Sequence, residues 1–386
     1  MKLKKRIVSL ILAACMSITF GIVAEAGNTE VVLSEPTITS STDGQEIALL
    51  SGGIYEFAKN YEMYRSVQYA TRGDVYSPTP AKIIWQSNQH VSYYVLSLGR
   101  EKDLSDASTY LTINNSIEVE NLFASEQYYY QIDAILAHGQ IVRSRIFNFR
   151  TKPLPRTIWL DGVCNTRDIG GYYTVDGKHR VKQGLVYRGG QLENITEEAK
   201  NKLLNVFGVK TDLDLRGAVK NSPLGDSVNF VNVSAPYYYN DNTGIISEKS
   251  SATSYWNGTY RDALAIEVRT FADPANYPIY FHCSLGRDRA GTLAFLINAL
   301  LGVSVEDLFM DYELSLFSVN GWADADQGNG KVLDLIGKAF YSLTDGLCAY
   351  DSKTSLMENT EKFMIEVLGI TQDEIDMIRS IMLEEI

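Results

Sequence analysis

Between residues 81 and 151 the chain alternates short apolar runs with short polar or glycine-bearing breaks. The runs are dense in Val, Ile, Tyr and Phe, which favour strands, and no helical period interrupts them. Consecutive strands of this kind predict an antiparallel β-sandwich over residues 76–152. The predicted strands are AKIIW, SYYVLSLG, STYLTI, SIEVENL, QYYYQIDAIL and QIVRSRIFNFRT.

The pattern changes after a proline-marked linker, KPLPR, at residues 152–156. Strand-like apolar runs now alternate with helical periods, which is typical of an α/β domain whose central sheet is mostly parallel. The C-terminal part is helical, and Thr371 with Glu374 three residues later predicts a capping box. We therefore expect an α/β domain over residues 156–386 that folds without the preceding sandwich.

The first 26 residues have the features of a signal peptide: basic MKLKKR, an apolar run, and an A-x-A cleavage motif that ends at Ala26. The segment that ends at Cys15 also resembles a lipoprotein box, which would place a lipid anchor on that cysteine. No other stretch approaches the ~18 apolar residues that span a membrane. The sequence thus predicts a secreted or cell-surface protein. Its N-terminal extension, residues 27–75, contains a short helix within SGGIYEFAKNYEMYRSV.

The charge balance excludes several classes of partner. Removing residues 1–26, which carry four basic side chains and one acidic one, would take the net charge from −12 to −15. Such an acidic chain is poorly suited to nucleic acid or anionic lipid surfaces. The four histidines are scattered and neither C-x-x-C nor H-E-x-x-H occurs, so we expect no metal and no other cofactor.

The segment NYPIYFHCSLGRDRAGTLAFLINAL, residues 276–300, carries the candidate chemistry. A short apolar run that ends at His282 predicts a buried strand, and the run from Ala290 to Leu301 predicts a helix. Cys283 and Arg289 lie between them with five residues in between. These five are Ser284, Leu285, Gly286, Arg287 and Asp288.

Five residues at this point can curl into a cup whose backbone N–H groups bind an anion. The helix N-terminus adds partial positive charge, Gly286 permits a positive φ angle, and Arg289 offers a planar fork to phosphate oxygens. The same field favours the thiolate of Cys283, placed for in-line attack on a bound phosphoryl group. The alternative interpretation is a buried structural cysteine beside a surface Arg-Asp-Arg run.

HCSLGRDRAGT resembles the signature loop of cysteine-dependent protein-tyrosine and dual-specificity phosphatases, and within them a bacterial, often secreted family with H-C-x-x-G-K-D-R-T. Other segments of residues 156–386 resemble the same family: NTRDIGG, LVYRGGQL, Asp214-Leu215-Arg216 and Asp311-Tyr312. NLFASEQYYYQIDAIL followed by FNFRT resembles the late strands of a fibronectin type III domain.

The resemblance implies a phosphoric monoester hydrolase with a phosphocysteine on Cys283, and Asp288 as acid and then base. The alternative is that Asp288 only pairs with Arg287. Two positions depart from the family: Arg287 replaces the usual Lys, and Ala290 replaces a hydroxyl residue that assists departure of the thiolate. Thr292 and Ser284 are the candidate replacements for that hydroxyl. Asp214 with Arg216, and Asp168 with Arg167, are predicted to be bracing ion pairs.

Other readings stay open at this point. A sulfurtransferase also cradles an anion beside a cysteine, and a surface adhesin could bind phosphorylated ligands without catalysis. The substrate could be a phosphorylated protein, on tyrosine or on serine or threonine, a phosphoinositide or an inositol phosphate, beneath a lid at residues 237–258. Cys164 is a candidate thiol for trapping oxidised Cys283, and Cys348 is the alternative. We also expect the domain cut at Arg156 to turn over small substrates alone.

Overall fold

The computed structural model describes residues 34–40, 42–62, 78–87, 90–153, 155–217, 219–233, 258–318 and 353–386 of the 386-residue chain. The chain divides into two units, Met1–Ser34 and Glu35–Ile386, and all described residues except Ser34 belong to the second. The predicted signal peptide, Cys15, Cys348 and all of the predicted lid except residue 258 lie outside the described residues.

In the described residues of the N-terminal region, nine strands form two sheets. A three-stranded sheet has the order β1-β3-β6, and a six-stranded sheet has the order β2-β9-β7-β4-β5 with β8 paired to β7. All pairs are antiparallel except β2 with β9. The strands are β1 (Thr37–Ile38), β2 (Glu46–Ile47), β3 (Ala81–Gln86), β4 (Val91–Gly99), β5 (Ser108–Thr112), β6 (Ser116–Val119), β7 (Gln127–Leu136), β8 (Ile141–Arg143) and β9 (Phe147–Thr151).

One apolar core joins the two sheets, because alternate residues of facing strands point inward. Trp85 on β3 is buried and makes an edge contact with Tyr94 on β4, at 5.1 Å between ring centroids. Each predicted strand segment contains an observed strand, and the last predicted segment divides into β8 and β9. The assignment of this region to the fibronectin type III class stays a prediction.

The C-terminal region is an α/β domain, as predicted. Its five-stranded sheet has the order β10-β12-β15-β13-β14, and only the β10–β12 pair is antiparallel. A separate two-stranded pair, β11 with β16, joins residues near the two ends of the domain. The strands are β10 (Arg167–Asp168), β11 (His179–Val181), β12 (Val186–Gly189), β13 (Thr211–Asp214), β14 (Asn229–Asn232), β15 (Ile279–His282) and β16 (Leu383–Glu385).

The helices of the described residues are α1 (Gly52–Lys59), α2 (Glu197–Asn201), α3 (Gly258–Ala272), α4 (Asp288–Leu300), α5 (Val305–Glu313), α6 (Leu356–Glu366) and α7 (Gln372–Met382). Helix α4 follows β15 directly and is buried on all sides, which agrees with its apolar sequence. The predicted capping box of Thr371 and Glu374 is present at the start of α7. Among the described residues, none of the helices combines the length and apolar content that crossing a membrane requires.

The described part of the predicted extension over residues 27–75 contributes to both cores. Strands β1 and β2 join the sheets of the sandwich. The predicted short helix is present as α1, but its buried residues, Ile54 and Phe57, belong to the core of the α/β domain together with Leu50. The predicted limits of the domains stay predictions.

Candidate active site

The cysteine loop lies at the centre of the C-terminal sheet. Strand β15, which ends at His282, is flanked on both sides by parallel strands, β12 and β13. Cys283 follows at the carboxyl end of β15, and α4 begins at Asp288. Ligands of open α/β sheets bind at this edge, outside the carboxyl ends of the strands. The predicted strand, loop and helix therefore occupy an edge of the sheet that suits binding.

The middle of the loop passes very close to another backbone segment. Gly286 has a φ of +67°, and a Cβ built there would lie 2.4 Å from the carbonyl carbon of Gly189. Gln191 N–H donates to the Ser284 carbonyl at 3.2 Å, which joins the same two segments a second time. A side chain at position 286 would thus be excluded by both conformation and space. This explains why the sequence has glycine there.

Arg188 braces the loop from behind. It is fully buried, and its Nη2 donates to the carbonyls of Gly286, at 2.7 Å, and Arg287, at 3.2 Å. In a trans peptide the N–H points opposite to the C=O of the same unit. The N–H groups of Arg287 and Asp288 therefore point away from Arg188 and can donate hydrogen bonds to a bound anion. The sequence motif LVYRGGQL contained this arginine without indicating its contact.

Two buried arginines share one carboxylate in this brace. Arg167 donates from Nε to Asp311 at 2.7 Å, and Arg188 forms a short ion pair with the same side chain. Burial raises the pKa of Asp311, but Arg167 and Arg188 outweigh burial and hold it below its usual value. Asp311 therefore stays charged, and its negative charge offsets the buried positive charges of Arg167 and Arg188.

Arg289 reaches across the loop, as its spacing predicted. Its Nη1 donates to the Leu215 carbonyl at 3.0 Å, and its Nη2 lies 3.5 Å from the Ser284 hydroxyl. Ser284 is the neighbour of Cys283, so the guanidinium spans from the start of α4 back to the start of the loop. Only 8% of Arg289 is exposed, which leaves it little freedom to turn away.

Asp288 has two partners in the site. Tyr312 donates its hydroxyl hydrogen to Asp288 Oδ1 at 2.8 Å, and Arg287 Nε donates to the same oxygen at 3.1 Å. The pairing with Arg287, which the sequence left as an alternative, is thus present. Tyr312 is a partner that sequence reasoning missed, although Asp311-Tyr312 had been noted as a motif. The pairing does not by itself decide whether Asp288 transfers protons.

The strand that carries Cys283 is held by a second buried pair. His282 Nε2 lies 3.0 Å from Asp212 Oδ1 on the neighbouring strand β13, and both side chains are fully buried. The other ring nitrogen faces the Cys283 carbonyl at 3.4 Å. Sequence reasoning missed Asp212; its only signal was an acidic residue within a run that reads as a buried strand.

Of the two predicted bracing pairs, one is present and one is wrong. Arg216 binds Asp214 through Nε at 2.9 Å and Nη2 at 2.7 Å. Asp168 does not pair with Arg167 but with Arg156, at 3.0 Å, whereas Arg167 binds Asp311. Neighbours in an extended segment point to opposite faces of the sheet, so residues 167 and 168 of β10 face different partners.

Both candidate hydroxyls that could replace the one absent at Ala290 are described. Thr292 Oγ1 donates to the Asp288 carbonyl at 3.0 Å, one turn back along α4, and its side chain is buried. Its hydrogen is therefore committed within the helix. Ser284 instead lies in the loop beside Cys283, with its hydroxyl facing Arg289.

A cavity of about 440 Å³ opens beside the loop. Cys164 lines it, with Sγ 3.9 Å from the Leu285 carbonyl. Burial, together with the nearby Cys283, raises the pKa of the Cys164 thiol, so it remains protonated more readily than a free cysteine. The lining is Ile158, Trp159, Leu160, Asp161, Gly162, Val163, Cys164, Asn165, Thr166, Gln191, Asn194, Ser284, Leu285 and Ser318.

A cysteine and an arginine at the two ends of an anion-cradling loop, between a central strand and a buried helix, define a cysteine-based phosphatase. The chain belongs to the tyrosine phosphatase family, whose sequence profile matches residues 158–384. Among the described residues, no cluster of three potential metal ligands occurs.

The chain is also similar to individual proteins. A protein of Cupriavidus necator, provisionally named a tyrosine-protein phosphatase, is 28% identical over 168 residues, which span 39% of this chain and 60% of that relative. The chain thus covers less than two thirds of the length of that relative. The crystal structure of the core catalytic domain of the PP-IP phosphatase SIW14 from S. cerevisiae, in complex with citrate, shares 17% identity with a TM-score of 0.24. That match covers 41% of this chain and 89% of the SIW14 domain.

Proposed function

We propose that the chain hydrolyses phosphomonoesters through a phosphocysteine on Cys283, without a metal ion. The observation that carries this proposal is the braced loop: Arg188 holds two loop carbonyls on the far side, and Arg289 reaches back to Ser284 beside Cys283. The N–H groups, the start of α4 and the Arg289 fork together supply positive potential for a phosphate dianion.

In the first step the Cys283 thiolate attacks phosphorus, an S–P bond forms, and the P–O bond to the leaving group breaks. Asp288 donates a proton to the departing oxygen. In the second step water attacks phosphorus while Asp288 takes back a proton, the S–P bond breaks, and the thiolate leaves with inorganic phosphate released. Thr292 donates its hydroxyl hydrogen to the Asp288 carbonyl, whereas Ser284 lies in the loop beside Cys283. We therefore assign to the Ser284 hydroxyl the role of assisting departure of the thiolate.

For the proton transfer, Asp288→Asn should cost more on substrates with poor leaving groups. A positioned general acid contributes about 10²–10⁴-fold, and an activated aryl oxygen needs little protonation. We expect about 10²-fold loss of kcat on phenyl phosphate and about tenfold or less on p-nitrophenyl phosphate. Steady-state kinetics on a series of aryl phosphates measures the difference. Equal losses along the series would mean that Asp288 is structural.

The cavity beside the loop indicates the leaving group. Its lining is largely apolar and amide, with one acidic residue, Asp161, and no basic residue among those described. Trp159, 44% exposed, offers an aromatic face at its edge. A second phosphate in this cavity would meet the carboxylate of Asp161, and no basic side chain of the described residues lines the cavity. We therefore propose a phosphotyrosine side chain in a protein as the substrate, ahead of phosphoinositides and inositol phosphates.

A side-by-side substrate panel tests this preference. We expect kcat/KM on a phosphotyrosine peptide to exceed the values on a phosphoserine peptide, a phosphoinositide and phytate by about tenfold or more, because an aryl group gains contact area in the cavity. Asp161→Asn should raise the rate on phytate and leave that on the peptide nearly unchanged. Asp376→Asn, on the exposed face of α7, is the matched control. Faster turnover of phytate by the wild type would reverse the assignment.

A further inference from the structure

Helix α1 packs into the α/β domain although the sandwich follows it in sequence. Ile54 and Phe57, three residues apart, occupy one face of α1 and are buried in the core of that domain with Leu50. The Phe57 ring lies between Phe317 and Tyr61, with both centroids 5.3 Å away. A fully buried phenylalanine makes this an integral contact of the domain rather than a surface contact.

The element that α1 contacts is also the one that supports the catalytic loop. Helix α5 ends at Glu313, and a 3₁₀ turn, Leu314–Phe317, follows it. Asp311 pairs with Arg188, which holds the loop, and Tyr312 donates to Asp288. Glu313, the next residue, accepts a hydrogen bond from the Tyr61 hydroxyl at 3.2 Å. Three consecutive residues thus connect the end of α5 to the brace, to the predicted acid and to the N-terminal segment.

Glu313 gives the contact with Tyr61 particular weight. Its side chain is completely buried, and losing a hydrogen bond is costly for a buried polar group. Any shift of Glu313 moves the backbone that carries Tyr312, and small displacements of a catalytic group are costly for turnover.

We propose that the segment Leu50–Tyr61 is a positioning element of the active site. Through Phe57 and Tyr61 it holds the end of α5, and through Tyr312 it holds Asp288 in place for proton transfer. Tyr61 is a positioning residue, since it acts through Glu313, to which its hydroxyl donates at 3.2 Å. This inference rests on the proposed role of Asp288. It argues against the prediction that a domain cut at Arg156 turns over small substrates alone, because such a cut removes Leu50, Ile54 and Phe57 from the core.

Tyr61→Phe in the full chain tests the proposal. The change removes one hydroxyl and keeps the ring against Phe57, so the protein should fold. We expect kcat on phenyl phosphate to fall about fivefold and kcat on p-nitrophenyl phosphate to change less than twofold. A fall of this size is consistent with the loss of one hydrogen bond. The matched control is Tyr130→Phe on β7, whose buried hydroxyl lies 3.1 Å from Thr42 Oγ1 within the sandwich. The control should leave both rates unchanged.

The leaving-group dependence separates positioning from stability. A purely structural role for Tyr61 would lower the melting temperature while reducing both rates equally or not at all, and that result would overturn the proposal. Phe57→Leu, which keeps an apolar side chain, should show the same dependence on the leaving group as Tyr61→Phe. Asp288→Asn is measured in parallel. If Asp288→Asn shows the dependence and Tyr61→Phe does not, only this proposal fails; if Asp288→Asn shows none, both it and the assigned role of Asp288 fail.

Discussion

Cys283→Ser should lower turnover of p-nitrophenyl phosphate by about 10³-fold or more, while phosphate binding persists. The serine hydroxyl stays protonated near neutral pH and is a far weaker nucleophile than a thiolate. The cradle does not depend on sulfur, because Arg188 holds the carbonyls of Gly286 and Arg287. Steady-state kinetics gives the loss, and calorimetric titration with inorganic phosphate gives the binding.

The control for this variant is Cys164→Ser, the same exchange at a thiol that lies 3.9 Å from the Leu285 carbonyl. It should retain turnover within a few fold, because Cys164 borders the cavity and takes no part in the bond changes. EDTA should leave the wild-type rate unchanged and vanadate should inhibit it. Residual turnover by Cys283→Ser above about a tenth of the wild-type rate would contradict the assignment of the nucleophile.

Arg289→Lys should be the second most damaging change, with kcat/KM lower by about 10²–10³-fold. The guanidinium donates to the Leu215 carbonyl and faces Ser284 while presenting a planar fork to a phosphate. Lysine keeps the charge but cannot make these contacts together. The loss should be in kcat as well as KM, because the bidentate contact strengthens as charge develops on the transferring group.

Arg287→Lys is the matched control, since it makes the same exchange two residues away in the same loop. It installs the residue that the resembling family usually has there, so we expect a loss of less than about fivefold. Arg287 pairs with Asp288 in the structure, and a lysine can keep that attraction. If both arginines tolerate lysine equally, the fork of Arg289 does not contribute what we propose, and only its charge matters.

Much of the fold was predictable because the patterns that define it are local. Alternating Val, Ile and Tyr residues predicted the strands of the sandwich, and each predicted segment contains an observed strand. The short apolar run before Cys283 and the longer one after Arg289 predicted the observed strand β15 and helix α4. The spacing of Cys283 and Arg289 predicted that Arg289 folds back over the loop, since five residues are few enough to close a tight turn. In the structure its guanidinium faces the Ser284 hydroxyl.

The partners of buried charges were not predictable in the same way. Asp168 and Arg167 are adjacent in sequence, yet each binds a residue from another element, Arg156 and Asp311 respectively. Asp214 and Arg216 do pair, because the chain turns directly after β13 and Asp214 also accepts the backbone N–H of Arg216. Asp212 and Arg188 were missed because their partners come from other elements, which only the folded domain brings together.

The position of α1 shows a further limit of sequence reasoning. A short helix after Ser51 could be predicted, but an amphipathic face does not specify which core it joins. In the structure Phe57 packs against Phe317 of the α/β domain. Domain limits drawn at changes of pattern, such as the one near Arg156, miss contacts of this kind.

Trapping the covalent intermediate tests the central claim most directly. The enzyme is mixed with excess p-nitrophenyl phosphate, quenched in acid within milliseconds, digested and examined by mass spectrometry. We predict the added mass of one phosphoryl group on the peptide that contains Cys283, absent from Cys283→Ser and present in Cys164→Ser. Full turnover of the wild type with no phosphorylated cysteine, or with the phosphoryl group on another residue, would contradict the account.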